Sequence, residues 1–169
     1  VICLDSKTGK TIWQTPVAPE YHNGQGKGPR ATPTLVGNGI FAFTGEGILV
    51  ALRFSDGKIL WSHNAVIEHG GKPADYGMSC SPLVVDNKVI VNVGAPQATV
   101  LAYDTHSGNL AWKAGKGDTT GYSSPALLDV GGRQQVIVTT GSSVLGLVPK
   151  TGDVLWRYPY KTDFDCNIA

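Results

Sequence analysis

The side chains able to do chemistry gather in four polar stretches that separate apolar runs: 14–30, 62–79, 113–122 and 157–166. They offer Glu20, His22, Arg30, Glu68, His69, Asp75, Asp118, Tyr122, Asp163 and Asp165. Arg30 stands directly before the apolar run that opens at Ala31-Thr32-Pro33. A guanidinium there presents a planar fork of donors suited to a carboxylate or another oxyanion, and Arg30 is the candidate anion seat. The competing reading is a surface arginine paired with a loop carboxylate. Asp163-x-Asp165-x-Asn167 sets three oxygen ligands at i, i+2 and i+4. On an extended segment these share one face, as a calcium ion would need. The run departs from an EF-hand loop, because Ile168 occupies the position that requires glycine; a solvated approach to a strand is the alternative.

Other chemistries find no support. Gly24-Gln25-Gly26-Lys27-Gly28-Pro29 lacks the G-x-x-x-x-G-K-[ST] pattern, precedes no helix and ends in proline, so it reads as a flexible loop. The four histidines form neither H-E-x-x-H nor an i, i+4 pair; His22 and His69 occupy equivalent loops, and His106 lies in a turn. No G-x-S-x-G or kinase signature occurs. The three cysteines, Cys3, Cys80 and Cys166, form no C-x-x-C pair, and Cys3 and Cys80 read as packing residues. A net charge of +1 excludes a nucleic-acid footprint. No apolar run approaches the ~18 residues of a spanning helix, and the first residues carry no charged and apolar leader pattern.

The elements that must position these loops are read from an internal repeat. VICLDSKTGKTIW (1–13), LVALRFSDGKILW (49–61), VLAYDTHSGNLAW (100–112) and VLGLVPKTGDVLW (144–156) align without gaps. Each carries a Gly four residues before a Trp: Gly9/Trp13, Gly57/Trp61, Gly108/Trp112 and Gly152/Trp156. The tryptophans are 48, 51 and 44 residues apart. A second mark, Ala31-Thr32-Pro33, Cys80-Ser81-Pro82 and Ser123-Ser124-Pro125, opens pairs of β-branched runs that turn at Asn38-Gly39, Asn87 and Gly131-Gly132. No window carries a capped 3.6-residue period. The unit is therefore four antiparallel strands, A to D, of propeller-blade size. Residues 1–14 supply half a blade, 31–63, 81–114 and 124–158 are full blades, and 164–169 start another: an all-β segment of about three and a half blades. Such a run falls short of a closed ring, so the isolated chain is expected to associate or to be poorly soluble.

The columns of the repeat have physical readings. The Gly column fits a tight C–D turn with φ > 0. Six residues earlier stands a small column, Cys3, Ala51, Ala102 and Gly146, which is expected to let a bulky group of a neighbouring blade approach. The tryptophans are that group; each buries ~150–250 Å² on docking, at most roughly 4–6 kcal/mol at ~25 cal/mol/Å².

The pattern small-x-Asp-x-x-[ST]-Gly-x-x-x-Trp resembles the tryptophan-docking repeat of the pyrroloquinoline-quinone-type propeller family. Asp5 and Asp104 keep its aspartate, whereas Arg53 and Val148 depart from it. The resemblance implies a propeller whose D-to-A loops rim a funnel, with the remaining blades of the same ring as partners. It implies an exported protein, periplasmic or extracellular, in a family that holds both cofactor-free scaffolds and quinone-dependent alcohol or sugar dehydrogenases. In the scaffold reading the loop face binds a protein or small-molecule ligand. In the enzyme reading Arg30 meets a quinone carboxylate, Asp163, Asp165 and Asn167 hold calcium, and a loop aspartate accepts a proton from the alcohol. Several alcohol dehydrogenases of the family carry a disulfide between adjacent cysteines, and no Cys-Cys dipeptide occurs here. That lowers the enzyme reading, and because the sequence establishes no convergent acid, base and metal constellation the scaffold reading is favoured.

Overall fold

The structure is a computed structural model that describes residues 1–167. Its first two strands, β1 (Ile2–Leu4) and β2 (Thr11–Gln14), pair with each other. The 14–30 connection contains a small hairpin, β3 (His22–Asn23) with β4 (Gly26–Lys27), where a flexible loop was expected. Three four-stranded sheets follow, antiparallel and in chain order. The second sheet is β5 (Thr34–Val36), β6 (Gly39–Phe43), β7 (Ile48–Arg53) and β8 (Ile59–Asn64). The third is β9 (Leu83–Val85), β10 (Lys88–Ala95), β11 (Ala98–Asp104) and β12 (Leu110–Ala114). The fourth is β13 (Ala126–Val130), β14 (Arg133–Thr139), β15 (Ser143–Leu147) and β16 (Val154–Pro159).

Hairpin chemistry explains the first turn of each sheet. Val36 pairs with Gly39, Val85 with Lys88 and Val130 with Arg133, which leaves two-residue loops. Asp86 and Asn87, and Gly131 and Gly132, have positive φ, as mirror-image turns require. The first loop is Gly37-Asn38, one residue earlier than the expected Asn38-Gly39, because Gly37 supplies the left-handed residue (φ 58°).

The middle strands of the second and third sheets are apolar on both faces, since each of these sheets lies between two others. Phe41, Phe43, Leu49 and Ala51 of the second sheet meet Val89, Val91, Val93, Leu101 and Tyr103 of the third. The alternate residues of the third, Ile90, Val100 and Ala102, meet Val136, Val138, Leu145 and Leu147 of the fourth. Ile40, Ala42, Val50 and Leu52 turn back towards Val1, Trp13 and Val17. Period-two alternation thus feeds two cores from one strand.

Tryptophans join these layers. Trp13 lies against Gly57, Trp61 against Gly108 and Trp112 against Gly152; a Cβ on those glycines would sit 2.4, 2.6 and 2.5 Å from the ring. Each indole also donates across the joint, to Phe54 O (2.9 Å), Thr105 O (3.1 Å) and Pro149 O (3.1 Å). The Gly column takes φ from 68° to 76°, and Gly57, Gly108 and Gly152 also clear a floor for the preceding sheet's ring. This corrects the expectation for the small column. Cys3, Ala51, Ala102 and Gly146 are the cross-strand partners of the tryptophan in their own sheet, and make room for that ring rather than a neighbour's. A register shift follows the small residue in all four copies.

The Thr/Ser-Pro mark has a lateral role. Thr32 N donates to Ser81 Oγ (3.0 Å) and Ser81 N to Ser124 Oγ (2.9 Å), so each hydroxyl ties the preceding sheet's first strand to its own. The C–D turn closes alike with or without the aspartate. Gly9, Gly57, Gly108 and Gly152 donate to Asp5 O, Arg53 O, Asp104 O and Val148 O.

Candidate functional site

The D-to-A connections lie together on one face, opposite the A–B and C–D turns, and are fastened to one another. Tyr21 fills the space over Gly45 and Gly77, where a Cβ would meet its ring at 2.8 Å and its hydroxyl at 2.5 Å. Asn23 Nδ2 donates to Asp75 O (2.5 Å) and to Tyr21 Oη (3.1 Å). Tyr76 and Tyr122 pack with ring centroids 5.5 Å apart, and Ser79 Oγ donates to Tyr122 O (3.0 Å). Tyr122 N and Ser123 Oγ both donate to Asn167 O.

Arg30 serves this fastening. Its Nε donates to Tyr76 O (3.1 Å), Nη2 to Gly26 O (2.9 Å) and Nη1 to Lys27 O and Gly28 O at longer range. The guanidinium also lies 5.3 Å from the Tyr21 ring centroid. All three nitrogens thus face main-chain carbonyls, and no loop carboxylate pairs with the group among the described residues.

Asp163, Asp165 and Asn167 do not lie along an extended segment. Asp163–Asp165 is a 3-10 turn in which Phe164 and Asp165 take left-handed backbone (φ 61° and 54°), so the i, i+2 alternation does not apply. Asp165 Oδ2 accepts from Thr119 Oγ1 (2.9 Å). The buried Asn167 side chain donates to Thr140 O (2.7 Å) and Tyr160 O (3.0 Å) and accepts from Thr162 Oγ1 (2.7 Å). The expected strand start at 164–169 includes Ile168 and Ala169, which lie outside the described residues.

The strongest electrostatic feature was not apparent in the sequence as a pair. The Asp118 side chain is 1% exposed and accepts from Arg157 Nη2 (2.7 Å), from Ser142 Oγ (2.5 Å) and from Ser143 Oγ (3.0 Å). Burial pushes its pKa upward, but the hydrogen bonds from Arg157, Ser142 and Ser143 and the Arg157 charge outweigh it and hold the carboxyl below its usual range. Asp118 was visible as a loop acid; its partner follows Trp156 at a position filled by Gln14, Ser62 and Lys113 elsewhere, so no repeat signal marked it.

Two histidines are also structural. His63 Nδ1 lies 3.1 Å from Glu68 Oε2, and its Nε2 lies 2.9 Å from Gly108 O, beside the Trp61 joint. His69 Nε2 meets Tyr103 Oη at 3.3 Å; burial, then the nearby Lys113, lowers the His69 pKa. His22 pairs instead with Glu20 at 3.4 Å, so the two equivalent loop histidines have separate partners. Cys80 is buried and its thiol is pushed up to about 12 by desolvation, in keeping with a packing role.

A cleft of about 200 Å³ remains on the rim, lined by residues that include Asp75, Thr119, Tyr122, Phe164 and Asp165. Among the described residues no group of three or more His, Cys, Asp or Glu side chains converges as a metal would require. Arg30 is thus turned to main-chain carbonyls, and Asp118 is paired with Arg157.

Four-stranded antiparallel sheets joined face to face through tryptophan-on-glycine contacts define a β-propeller of pyrroloquinoline-quinone-like repeats. The chain belongs to the family described as outer membrane protein assembly factor BamB, whose model matches residues 1–167. It is similar to the quinoprotein alcohol dehydrogenase PedH of Pseudomonas putida, 29% identical over 125 residues, or 66% of this chain and 19% of that protein. It is also similar to quinohemoprotein alcohol dehydrogenase ADH IIB of Pseudomonas putida, 30% identical over 122 residues, or 67% and 17%. The chain thus spans about a fifth of the length of these curated relatives. Among solved structures, BamB from Moraxella catarrhalis matches 88% of this chain and 40% of its own (TM-score 0.58, 20% identity). Quinohemoprotein alcohol dehydrogenase from Comamonas testosteroni matches 78% and 21% (TM-score 0.59, 19% identity). At these identities the two structures speak for the fold alone. No helix among the described residues is long and apolar enough to cross a membrane.

Proposed function

We propose that these residues are part of an exported propeller that acts as a scaffold binding a protein or small-molecule ligand on its loop face. In this reading residues 1–14 are half a blade, 31–63, 81–114 and 124–158 are full blades, 164–169 begin another, and further blades close the ring. The observation that carries the reading is the employment of the rim's polar groups. Arg30, Asp118 and Asn167 each hold loop to loop, which makes a firm, shaped surface, and among the described residues no acid, base and metal set is poised for chemistry. The family description, an outer-membrane assembly factor, supports export and a protein partner.

A second reading, part of a quinone-dependent alcohol or sugar dehydrogenase with calcium, is favoured by the two quinoprotein relatives. Bound pyrroloquinoline quinone would supply the redox chemistry. Arg30 and the Asp163, Asp165 and Asn167 set are then the residues of this segment to test, and they would have to exchange their present contacts for the cofactors.

The deciding experiment titrates the full-length protein with pyrroloquinoline quinone, with and without calcium, followed by absorbance and tryptophan quenching. The scaffold reading expects no saturation at high micromolar quinone. Calcium-dependent saturation near one per chain would replace it with the enzyme reading.

A further inference from the structure

A cleft of about 440 Å³ lies on the face opposite the loops, between the second and third sheets. That volume falls in the roughly 300–1,000 Å³ range of small-molecule sites. Both walls belong to sheets complete in this chain. The second sheet contributes the β5–β6 turn, Arg53 and Leu60; the third contributes Val84, Asn87, Thr105 and His106, with Phe41 at depth. The walls are tied. Phe54 N donates to Asn38 O (2.8 Å), Thr105 N to Asn87 O (2.9 Å), and Trp61 Nε1 crosses between the sheets to Thr105 O (3.1 Å). A site held in this way exists before any ligand arrives.

Its chemistry is amphiphilic and one-signed. Val36 and Leu60 are 49% and 48% exposed, and Leu60 is the extra residue of the bulge between Ile59 and Trp61, which leaves it without a cross-strand partner. No acidic residue lines the cleft, and Arg53 is its fixed charge. Arg53 stands in the column where Asp5 and Asp104 bracket their turns. Its own turn closes through the same main-chain bonds, Gly57 N to Arg53 O (2.8 Å) and Arg53 N to Lys58 O (2.9 Å), so turn formation does not call for an arginine. The guanidinium has one side-chain partner among the described residues, Asp56 Oδ1 at 3.5 Å from Nε, in an exposed and weak pair. Nη1 and Nη2, the two ends of the fork that a carboxylate would engage, have none.

We propose that this cleft binds an amphiphilic monocarboxylate, an alkyl or aryl acid, with its carboxylate on Arg53 and its apolar body along Val36, Leu60 and Phe41. Charge complementarity selects the acid over its neutral analogue. The site lies apart from the loop face and does not depend on what that face holds.

The test compares octanoate with octan-1-ol on the full-length protein by calorimetry and ligand-observed NMR. Octanoate should saturate one site about ten-fold more tightly than the alcohol, the scale of a charge-assisted contact. Arg53→Gln should bring octanoate down to the level of the alcohol without moving the melting temperature, because the turn closes through its backbone. Arg53→Lys should recover part of the preference, and Leu60→Ser should weaken both ligands alike. Equal binding of acid and alcohol, no saturable octanoate binding at millimolar concentration, or unchanged octanoate binding in Arg53→Gln would each overturn the assignment.

Discussion

Trp112 and Trp156 occupy the same column of the repeat, one sheet apart, and their surroundings differ. Trp112 is 8% exposed, lies on Gly152 of the following sheet and donates to Pro149 O. Trp156 is 37% exposed and its indole turns to Gln135 Oε1 of its own sheet at 2.7 Å. The first ring is fixed by a glycine turn that a later stretch of chain provides; the second has no such turn among the described residues. Gly9 shows the other half of the difference, since nothing lies within 4 Å of a Cβ placed on it, whereas Gly57, Gly108 and Gly152 each carry a ring. A joint is thus a property of two successive sheets and not of the tryptophan alone.

The largest effect should come from removing an occupied ring. In the full-length protein Trp112→Ala is expected to cost about 3–5 kcal/mol by denaturant unfolding, the scale of a large aromatic removed from a core. If a further sheet follows, Trp156→Ala should cost nearly as much there. A loss well below half that of Trp112→Ala would mean that Trp156 stays as exposed as it is here.

Next comes the Asp118–Arg157 pair, which stands on the rim rather than at a joint. Arg157→Met leaves a nearly buried carboxylate with two serine hydroxyls for partners. Because Arg157 is itself 47% exposed, solvent screens part of the loss, and a loss of stability smaller than that of Trp112→Ala is expected by denaturant unfolding. The pair also has a pH signature. The folded-state pKa of Asp118 lies below its unfolded value, so its stabilisation is fully present above about pH 4 and is lost as pH falls through the folded pKa. The melting temperature should drop as pH falls below about 4, and Asp118→Asn should flatten that part of the slope.

The smallest effect belongs to the aspartate of the repeat. Asp104 brackets its turn through Ser107 and His106, and those hydrogen bonds lower its pKa, yet the Val148 turn closes without a carboxylate. Asp104→Ala should shift the melting temperature less than either change above. A shift as large as that of Arg157→Met would show that the backbone bonds do not carry the turn.

What was legible in the sequence was local or periodic. Apolar alternation, paired turn residues and the Gly-to-Trp interval marked four antiparallel strands per unit, because each depends on neighbours a few residues away. The partner surface of each tryptophan was misassigned. The small column and the Gly column are both compact, and the register that sets Ala51 beside Trp61 within one sheet, with Gly108 beneath the ring from the next, is a tertiary fact. On the rim, Arg30 was legible as a cation at a strand start, but its turn towards Tyr76 O and Gly26 O depends on a hairpin that a glycine-rich run does not announce. At 163–167 the left-handed Phe164 and Asp165 broke the alternation on which the expected shared face relied.

The account rests on successive sheets locked ring upon glycine into a larger propeller, and Gly9 tests it most directly. Gly152→Ala combines the left-handed penalty, about 1–2 kcal/mol, with overlap against the Trp112 ring, about 1–3 kcal/mol, so about 3 kcal/mol is expected. If, as proposed, further blades close the ring, thermal and denaturant unfolding of Gly9→Ala in the full-length protein should give a loss of the same size, because a preceding sheet would then lay its tryptophan there. A loss confined to the backbone penalty of about 1–2 kcal/mol would mean that no ring rests on Gly9, and would contradict the closed propeller.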